Sequence, residues 1–223
     1  AAAGIRIAVA DVDADRTPEL VIGSGPGAPA TVSIVPTQGT DNTISFLAFD
    51  PSYTGGVFVA AGDLDGGGKG EVIASQKAGG EVKAFEIRGG EAHVRGTMRP
   101  QGHEYNGGFR VAAGDFNGDG RAEVITGAMT GEARVRVIDI SVPGGRLMAD
   151  TLVSNRPAEP SLGGTPVAYA RFDEQPAVLI AHFNSVYKVI DPGDPQPKIF
   201  SENPFLVVAS LFMDVQTYTP PGQ

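Results

Sequence analysis

Oxygen-bearing side chains recur at alternate positions in three glycine-rich segments of the chain. In the first segment, positions 1, 3, 5 and 9 of a nine-residue loop are held by Asp11, Asp13, Asp15 and Glu19. Alternate spacing in a tightly turned loop lets these oxygens converge on one point, and calcium takes about six to eight oxygens at roughly 2.3–2.6 Å. The main-chain carbonyl of Thr17 at position 7 is a further donor. This segment therefore predicts a calcium site.

The same arrangement recurs two periods of 52 residues further along the chain. Its ligand positions are Asp115, Asn117, Asp119 and Glu123, with the carbonyl of Arg121 at position 7. Gly118 and Gly120 permit the tight backbone path that such a loop needs. Magnesium fits less well than calcium, because it demands a stricter octahedron and usually keeps several waters. We therefore expect a second strong calcium site here.

A third copy lies between the other two and is incomplete. Asp63, Asp65 and Glu71 hold positions 1, 3 and 9, and Lys69 supplies the position-7 carbonyl, but Gly67 stands at position 5. Because one carboxylate is missing, this loop is expected to bind calcium more weakly, with water filling the gap. The predicted complement is thus two strong calcium sites and one weaker one.

Two other types of segment resemble these loops, the EF-hand and the plain polar β-turn. An EF-hand requires a bidentate Glu at position 12 and flanking helices, but position 12 is Ile22, Ala74 or Thr126, and strand-like runs flank each loop. Plain polar β-turns would also be rich in Asp, Asn and Gly. Two complete copies and a partial one in register favour calcium over that simpler interpretation.

The elements that position these loops are short strands. Each acidic loop lies between two strand-like runs, as in Val57–Ala61 and Glu71–Ala74, and no helical period is found anywhere. About four short strands per repeat indicate one antiparallel sheet per unit. We divide the single domain 1–223 into repeats at approximately 4–52, 53–104, 105–160 and 161–204, with a partial fifth unit at 205–216.

Sheets of this size bury their apolar faces by stacking against one another about an axis. The small Ala-Ala-Gly run before each of the second and third loops suits a crowded inner strand. The fold class is therefore predicted as an all-β, β-propeller arrangement of about four four-stranded antiparallel blades, or a fragment of a larger ring. In the fourth copy Arg171 replaces the first carboxylate and the loop shortens, so that copy is expected to bind no ion.

The repeated segments resemble the FG-GAP and VCBS repeat families. The resemblance rests on the acidic loops and on the Gly-Gly-Val-Phe-Val-Ala-Ala-Gly-Asp form at residues 55–63, and it covers three units to about Asp139. It implies integrin-α-like propeller blades with calcium loops between their first two strands, of the type in bacterial surface and secreted proteins. Glu at position 9 departs from the usual final Asp of these families.

Composition narrows the range of functions. The net charge of −9 argues against nucleic acid as a partner, and no apolar run is long enough for insertion into a membrane. The chain has no cysteine, and its three histidines (His93, His103 and His182) lie beside no plausible nucleophile or second metal ligand, so we expect no enzyme activity.

The leading functional hypothesis is an extracellular or cell-surface, calcium-stabilised binding or adhesion module that presents blade loops to a protein or glycan. Two alternatives stay open at this level. One is an architectural repeat segment of a large surface protein, and the other is a propeller-type lyase or hydrolase. The ligand, the number of blades in the natural ring and the oligomeric state are not encoded in these patterns.

Overall fold

The computed structural model describes residues 4–38, 43–158, 164–172, 175–182, 185–189 and 198–201. Within these ranges the protein is all-β and contains no helix. The strands are β1 (Arg6–Ala10), β2 (Glu19–Gly23), β3 (Thr31–Val35), β4 (Ile44–Leu47), β5 (Val57–Gly62), β6 (Glu71–Gln76), β7 (Val82–Arg88), β8 (Glu91–Met98), β9 (Phe109–Gly114), β10 (Glu123–Ala128), β11 (Gly131–Asp139), β12 (Arg146–Ala158), β13 (Val167–Phe172), β14 (Gln175–His182), β15 (Ser185–Val189) and β16 (Lys198–Ser201). The described residues contain no helix that is long and apolar enough to cross a membrane.

The strands form four antiparallel sheets of four strands each, and every sheet uses consecutive strands in chain order. We call them sheet 1 (β1–β4), sheet 2 (β5–β8), sheet 3 (β9–β12) and sheet 4 (β13–β16). This confirms the predicted all-β fold with four four-stranded antiparallel blades. The partial fifth unit predicted at 205–216 lies outside the described residues.

The hydrophobic core is divided into clusters that lie between successive sheets. One joins Val21, Val32 and Ile34 of sheet 1 to residues of sheet 2 such as Val72 and Phe85. Corresponding clusters join sheet 2 to sheet 3 and sheet 3 to sheet 4. Because sheets 2 and 3 are covered on both faces, β6 and β10 are almost continuously buried and lack an apolar–polar alternation.

The first strand of each sheet lies on the inside of the stack. β1 contacts β5, β5 contacts β9, and β9 contacts β13. The inner strands approach closely, because a Cβ added at Gly62 would lie 3.0 Å from the Cβ atoms of both Ala113 and Ala122. The small residues that the sequence places before the acidic loops are therefore required by crowding at this position.

Tyr53 and Tyr105 are equivalent residues that hydrogen-bond to the backbone just before the first strands of sheets 2 and 3. The Tyr53 hydroxyl donates to the Gly56 carbonyl at 3.0 Å, and the Tyr105 hydroxyl donates to the Gly108 carbonyl at 2.9 Å. Tyr105 also packs on Phe109, with ring centroids 4.9 Å apart. Both tyrosines are half-buried, so they pack within the repeat structure.

Candidate metal centre

The three acidic segments join the two innermost strands of sheets 1, 2 and 3. We call them loop 1 (residues 11–19), loop 2 (63–71) and loop 3 (115–123). In each, position 1 directly follows the inner strand and position 9 is the first residue of the next strand, where it pairs with the last residue of the inner strand. The antiparallel hairpin thus holds both ends of each loop in register.

In loop 1 the main chain wraps around the first carboxylate. Asp11 accepts hydrogen bonds from the amides of Ala14 at 2.7 Å and Arg16 at 2.8 Å, one on each carboxylate oxygen. Asp13 accepts from the Asp15 amide at 3.1 Å, and Asp15 accepts from the Thr17 amide at 2.6 Å. The amides therefore hold these carboxylates in place before any ion binds.

Three carboxylates of loop 1 converge on one point. Asp11, Asp13 and Asp15 each place one oxygen within 4.8 Å of the others. Two oxygens on opposite sides of one calcium ion lie about 4.6–5.2 Å apart. The oxygens brought together in loop 1 therefore fit the size of a calcium site, and their carboxylate chemistry suits a hard cation.

Loop 3 repeats this backbone arrangement. Asp115 accepts from the amides of Gly118 at 2.6 Å and Gly120 at 3.0 Å, and Asp119 accepts from the Arg121 amide at 2.9 Å. The Asn117 amide group lies among the carboxylates, and its Nδ2 is 3.0 Å from Asp119 Oδ2. The loop thus offers two carboxylates, an amide oxygen and a position-9 glutamate, a donor set that also fits calcium.

The glutamate at position 9 has the same role in all three loops. Glu19 accepts the Val12 amide at 2.9 Å, Glu71 accepts the Leu64 amide at 2.7 Å, and Glu123 accepts the Phe116 amide at 2.8 Å. All three side chains are buried. The unusual Glu at this position therefore spans the loop and also holds the amide that follows position 1.

Burial also makes these glutamates costly to ionise. Desolvation, with the neighbouring aspartates adding to it, raises the pKa of Glu19 and Glu71 above their ordinary values. The same causes raise the pKa of Glu123 to about 7. A carboxylate held in this way gains from a cation beside it, because the cation compensates its charge.

Loop 2 differs because it contains a positive charge from another strand. Nη1 of Arg95, which lies on β8, is 2.7 Å from Asp65 Oδ2 and 3.7 Å from Glu71 Oε1. Asp63, Asp65 and Glu71 also place oxygens within 4.8 Å of one another. The guanidinium thus places a positive charge beside the carboxylates at positions 3 and 9 of loop 2.

The position-1 residue of each loop also links its sheet to the next. The Asp11 carbonyl accepts from the Gly70 amide of loop 2 at 2.7 Å, and the Asp63 carbonyl accepts from the Ala122 amide of loop 3 at 2.6 Å. The Asp115 carbonyl accepts from the Tyr169 hydroxyl of β13 at 2.7 Å. These bonds form a continuous connection across the four inner strands.

The fourth unit has no room for such a loop. Phe172 at the end of β13 pairs with Gln175 at the start of β14, so only residues 173 and 174 separate the two strands. Arg171 stands on β13, opposite Pro176. The Tyr169 hydroxyl supplies in this sheet the donor that the backbone of a nine-residue loop supplies in sheets 2 and 3.

A cavity of about 540 Å³ lies between the ends of the four inner strands, next to loops 1 and 2. Its lining includes Asp11, Arg16, Asp63, Gly114 and Tyr169. The acidic loops therefore border a concave surface at one end of the stacked sheets.

Two residues that contribute to this centre were not found from the sequence. Arg95 lies 30 positions from Asp65, and Tyr169 lies 54 positions from Asp115. Neither belongs to the periodic pattern of the acidic loops. The position-7 residues Thr17, Lys69 and Arg121 were predicted as carbonyl ligands, and this stays a prediction.

Four-stranded sheets packed face to face, with acidic loops between their inner two strands, define a propeller-type repeat protein. Residues 107–137, which contain loop 3, match the family profile described as the FG-GAP repeat. The match confirms the resemblance to FG-GAP repeats at the third unit, and repeats of this kind are typical of extracellular modules. Among curated proteins, no relative matches the chain.

Proposed function

We propose that the chain is an extracellular, calcium-stabilised module that presents its blade loops to a protein or glycan ligand. The proposal is carried by the convergence of the Asp11, Asp13 and Asp15 carboxylates in loop 1. Loop 3 repeats the backbone hydrogen bonds that surround the first carboxylate. In this proposal Asp11, Asp13, Asp15 and Glu19 hold one ion, and Asp115, Asn117, Asp119 and Glu123 hold another. The carbonyls of Thr17 and Arg121 complete the two sets.

Calcium has a structural role in this proposal. Each site sits beside an aspartate whose carbonyl is bonded to the next sheet, so an ion that orders the loop also stabilises the contact between sheets. A site with a Kd of ~10⁻⁴–10⁻³ M in about millimolar calcium contributes roughly 0.4–1.4 kcal/mol. Two sites are therefore significant against a total stability of about 5–15 kcal/mol.

The expected extracellular location follows from the calcium affinity of these sites. Sites of this affinity fill in extracellular calcium and stay empty where free calcium is low. The match of residues 107–137 to a repeat type common in extracellular proteins supports this location. The concave surface beside loops 1 and 2 is the region that we assign to the ligand.

Thermal melting with and without calcium tests the metal part of the proposal. Calcium should raise the melting temperature of the chelated protein, and magnesium at equal concentration should raise it less. The double variant Asp15→Asn, Asp119→Asn keeps the hydrogen-bond acceptors but removes two charges, so it should lose most of the calcium response. Glu104→Gln, at an exposed residue outside the loops, is the matched control. An unchanged melting temperature in calcium and in EDTA would refute the metal assignment.

Glycan and protein arrays probed in calcium and in EDTA test the binding role. We expect calcium-dependent capture of one ligand class, reduced by substitution of Arg16, which lines the cavity beside loop 1. A calcium-stabilised protein that captures nothing in either array would support the architectural alternative.

A further inference from the structure

Arg95 reaches loop 2 from the far edge of the same sheet. It lies on β8, the outermost strand of sheet 2, and its side chain is 26% exposed. Its Nη1 lies between the position-3 carboxylate of Asp65 and the position-9 carboxylate of Glu71. In loops 1 and 3 the residues at these two positions are assigned to calcium.

We propose that the Arg95 guanidinium replaces the divalent cation in loop 2. The inference rests on the proposed calcium sites in loops 1 and 3. In loop 2 it assigns Arg95 in place of the weaker calcium site that the sequence predicts. Loop 2 is then closed by a cation of its own chain, and the protein binds two calcium ions. Loops 1 and 3 depend on calcium, whereas loop 2 does not.

The composition of loop 2 agrees with this exchange. Gly67 removes the position-5 carboxylate, which leaves Asp63, Asp65 and Glu71 as the acidic side chains of the loop. A guanidinium carries one positive charge and donates hydrogen bonds in a fixed plane, so it suits a site that holds fewer oxygens. A calcium ion entering loop 2 would have to displace Arg95 from Asp65, and it would find fewer ligands than in loop 1.

The third sheet provides an internal comparison. In sheet 2, Phe85 pairs with Val94 and Ala84 pairs with Gly96, so that Arg95 is the extra residue of a β-bulge. In sheet 3, Ile138 pairs with Leu147 and Val137 pairs with Ala149, so that Met148 is the extra residue.

Register identifies Arg95 and Met148 as the same structural position. Ile73 pairs with Ala84 in sheet 2, and Ile125 pairs with Val137 in sheet 3, while Ile73 and Ile125 are one repeat of 52 residues apart. Sheet 3 thus has an apolar side chain at the bulge where sheet 2 has the guanidinium. The positive charge accompanies the one loop that lacks a position-5 carboxylate.

Exchanging the two bulge residues tests the proposal. Calcium stoichiometry is measured by equilibrium dialysis, and melting temperature by calorimetry in chelator and in calcium, for the wild type, Arg95→Met and Met148→Arg. Arg88→Met is the control, because Arg88 forms an ion pair with Glu86 of β7, outside the loop.

We expect two ions per wild-type chain, three for Arg95→Met and one for Met148→Arg. In chelator, Arg95→Met should melt about 2–6 °C below the wild type, because Asp65 loses a charged hydrogen-bond donor and Glu71 loses a nearby positive charge. Calcium should restore most of that loss. Arg88→Met should change neither the stoichiometry nor the melting temperature by a comparable amount.

Three ions on the wild-type chain, or an Arg95→Met protein that melts like wild type in chelator, would overturn the proposal. If Arg95→Met does not fold, Met148→Arg decides alone, since an unchanged stoichiometry in that variant contradicts the exchange. A wild-type chain that binds no calcium refutes the proposed function instead. The melting of Arg95→Met in chelator then still shows whether Arg95 is the counter-ion of loop 2.

Discussion

Ala14 has a backbone conformation that its side chain disfavours, and replacing it with glycine should stabilise the protein. Its φ is 69°, whereas the equivalent positions in loops 2 and 3 are Gly66 with φ 78° and Gly118 with φ 79°. The three residues are spaced by one repeat of 52. Only loop 1 places a Cβ in the left-handed region at this position.

The magnitude follows from two opposing effects. The left-handed conformation costs a non-glycine residue about 1–2 kcal/mol. Glycine has greater conformational freedom in the unfolded chain, and this entropy offsets about 0.5–1 kcal/mol of the gain in folding free energy. Ala14→Gly should therefore raise the free energy of unfolding by about 0.5–1 kcal/mol, which corresponds to about 1–4 °C in a domain of this size.

The reverse change in loop 3 is the internal check. A Cβ added at Gly118 would meet nothing within 4 Å, so the cost of Gly118→Ala is conformational strain without a clash. It should lower the free energy of unfolding by about 0.5–1 kcal/mol. Both variants are measured by calorimetry in calcium and in EDTA, with Ala78→Gly as a control at an exposed residue outside the loops. Ala14→Gly should stabilise while Ala78→Gly destabilises, and destabilisation by both would refute the reasoning.

Three further predictions concern the loop contacts. The pKa of Glu123 is raised to about 7 in the folded chain. The protonated carboxyl therefore contributes its full share of stability below the unfolded pKa of about 4.5. This stability is lost as the pH rises through the folded pKa. In EDTA the melting temperature should therefore fall less steeply from about pH 5 to about pH 8 for Glu123→Gln than for the wild type, while calcium stabilises the variant less. Tyr169→Phe removes the hydrogen bond to the Asp115 carbonyl and should lower the free energy of unfolding by about 1 kcal/mol, measured by urea unfolding; an unchanged free energy of unfolding would contradict the assignment. Gly114→Ala places a Cβ in steric conflict with the Tyr169 ring, so it should lower the free energy of unfolding by more than about 2 kcal/mol and be partly rescued by Tyr169→Ala; absence of any rescue would show that the ring is not the obstacle.

The repeat architecture was predictable because each level of the sequence pattern agreed with the next. A period of 52 residues, apolar runs on either side of each loop and small residues in the inner strands all favoured stacked four-stranded sheets. The structure places β5 and β9 at the predicted inner position and the loops between inner strands. The observed strands differ from the predicted runs by only a few residues, as for β5 and β6 on either side of loop 2, which end at Gly62 and Gln76.

The exceptions within the repeats were not predictable, because they depend on register and on distant side chains. A β-bulge adds one residue to a strand without a clear composition signal, and it determines that Arg95 rather than a neighbour reaches Asp65. Tyr169 aligns with Ala113 in the repeat, so the sequence alone suggested only another inner-strand residue. The sequence does not indicate that β13 lies beside β9, and this packing brings the Tyr169 hydroxyl to the Asp115 carbonyl.

The loops and the sheet-to-sheet bonds together explain why the units tolerate such different loops. The carbonyl of Asp11, Asp63 or Asp115 accepts a hydrogen bond from the next sheet in every case, regardless of how the carboxylates of that loop are neutralised. The hydrogen bond accepted by the position-1 carbonyl is therefore common to all three loops, whereas the cation that neutralises the carboxylates can differ from loop to loop. A guanidinium in loop 2 and a proposed ion in loops 1 and 3 serve the same electrostatic purpose. The fourth unit dispenses with the loop altogether, since the hydroxyl of Tyr169 supplies the one bond that the preceding sheet requires.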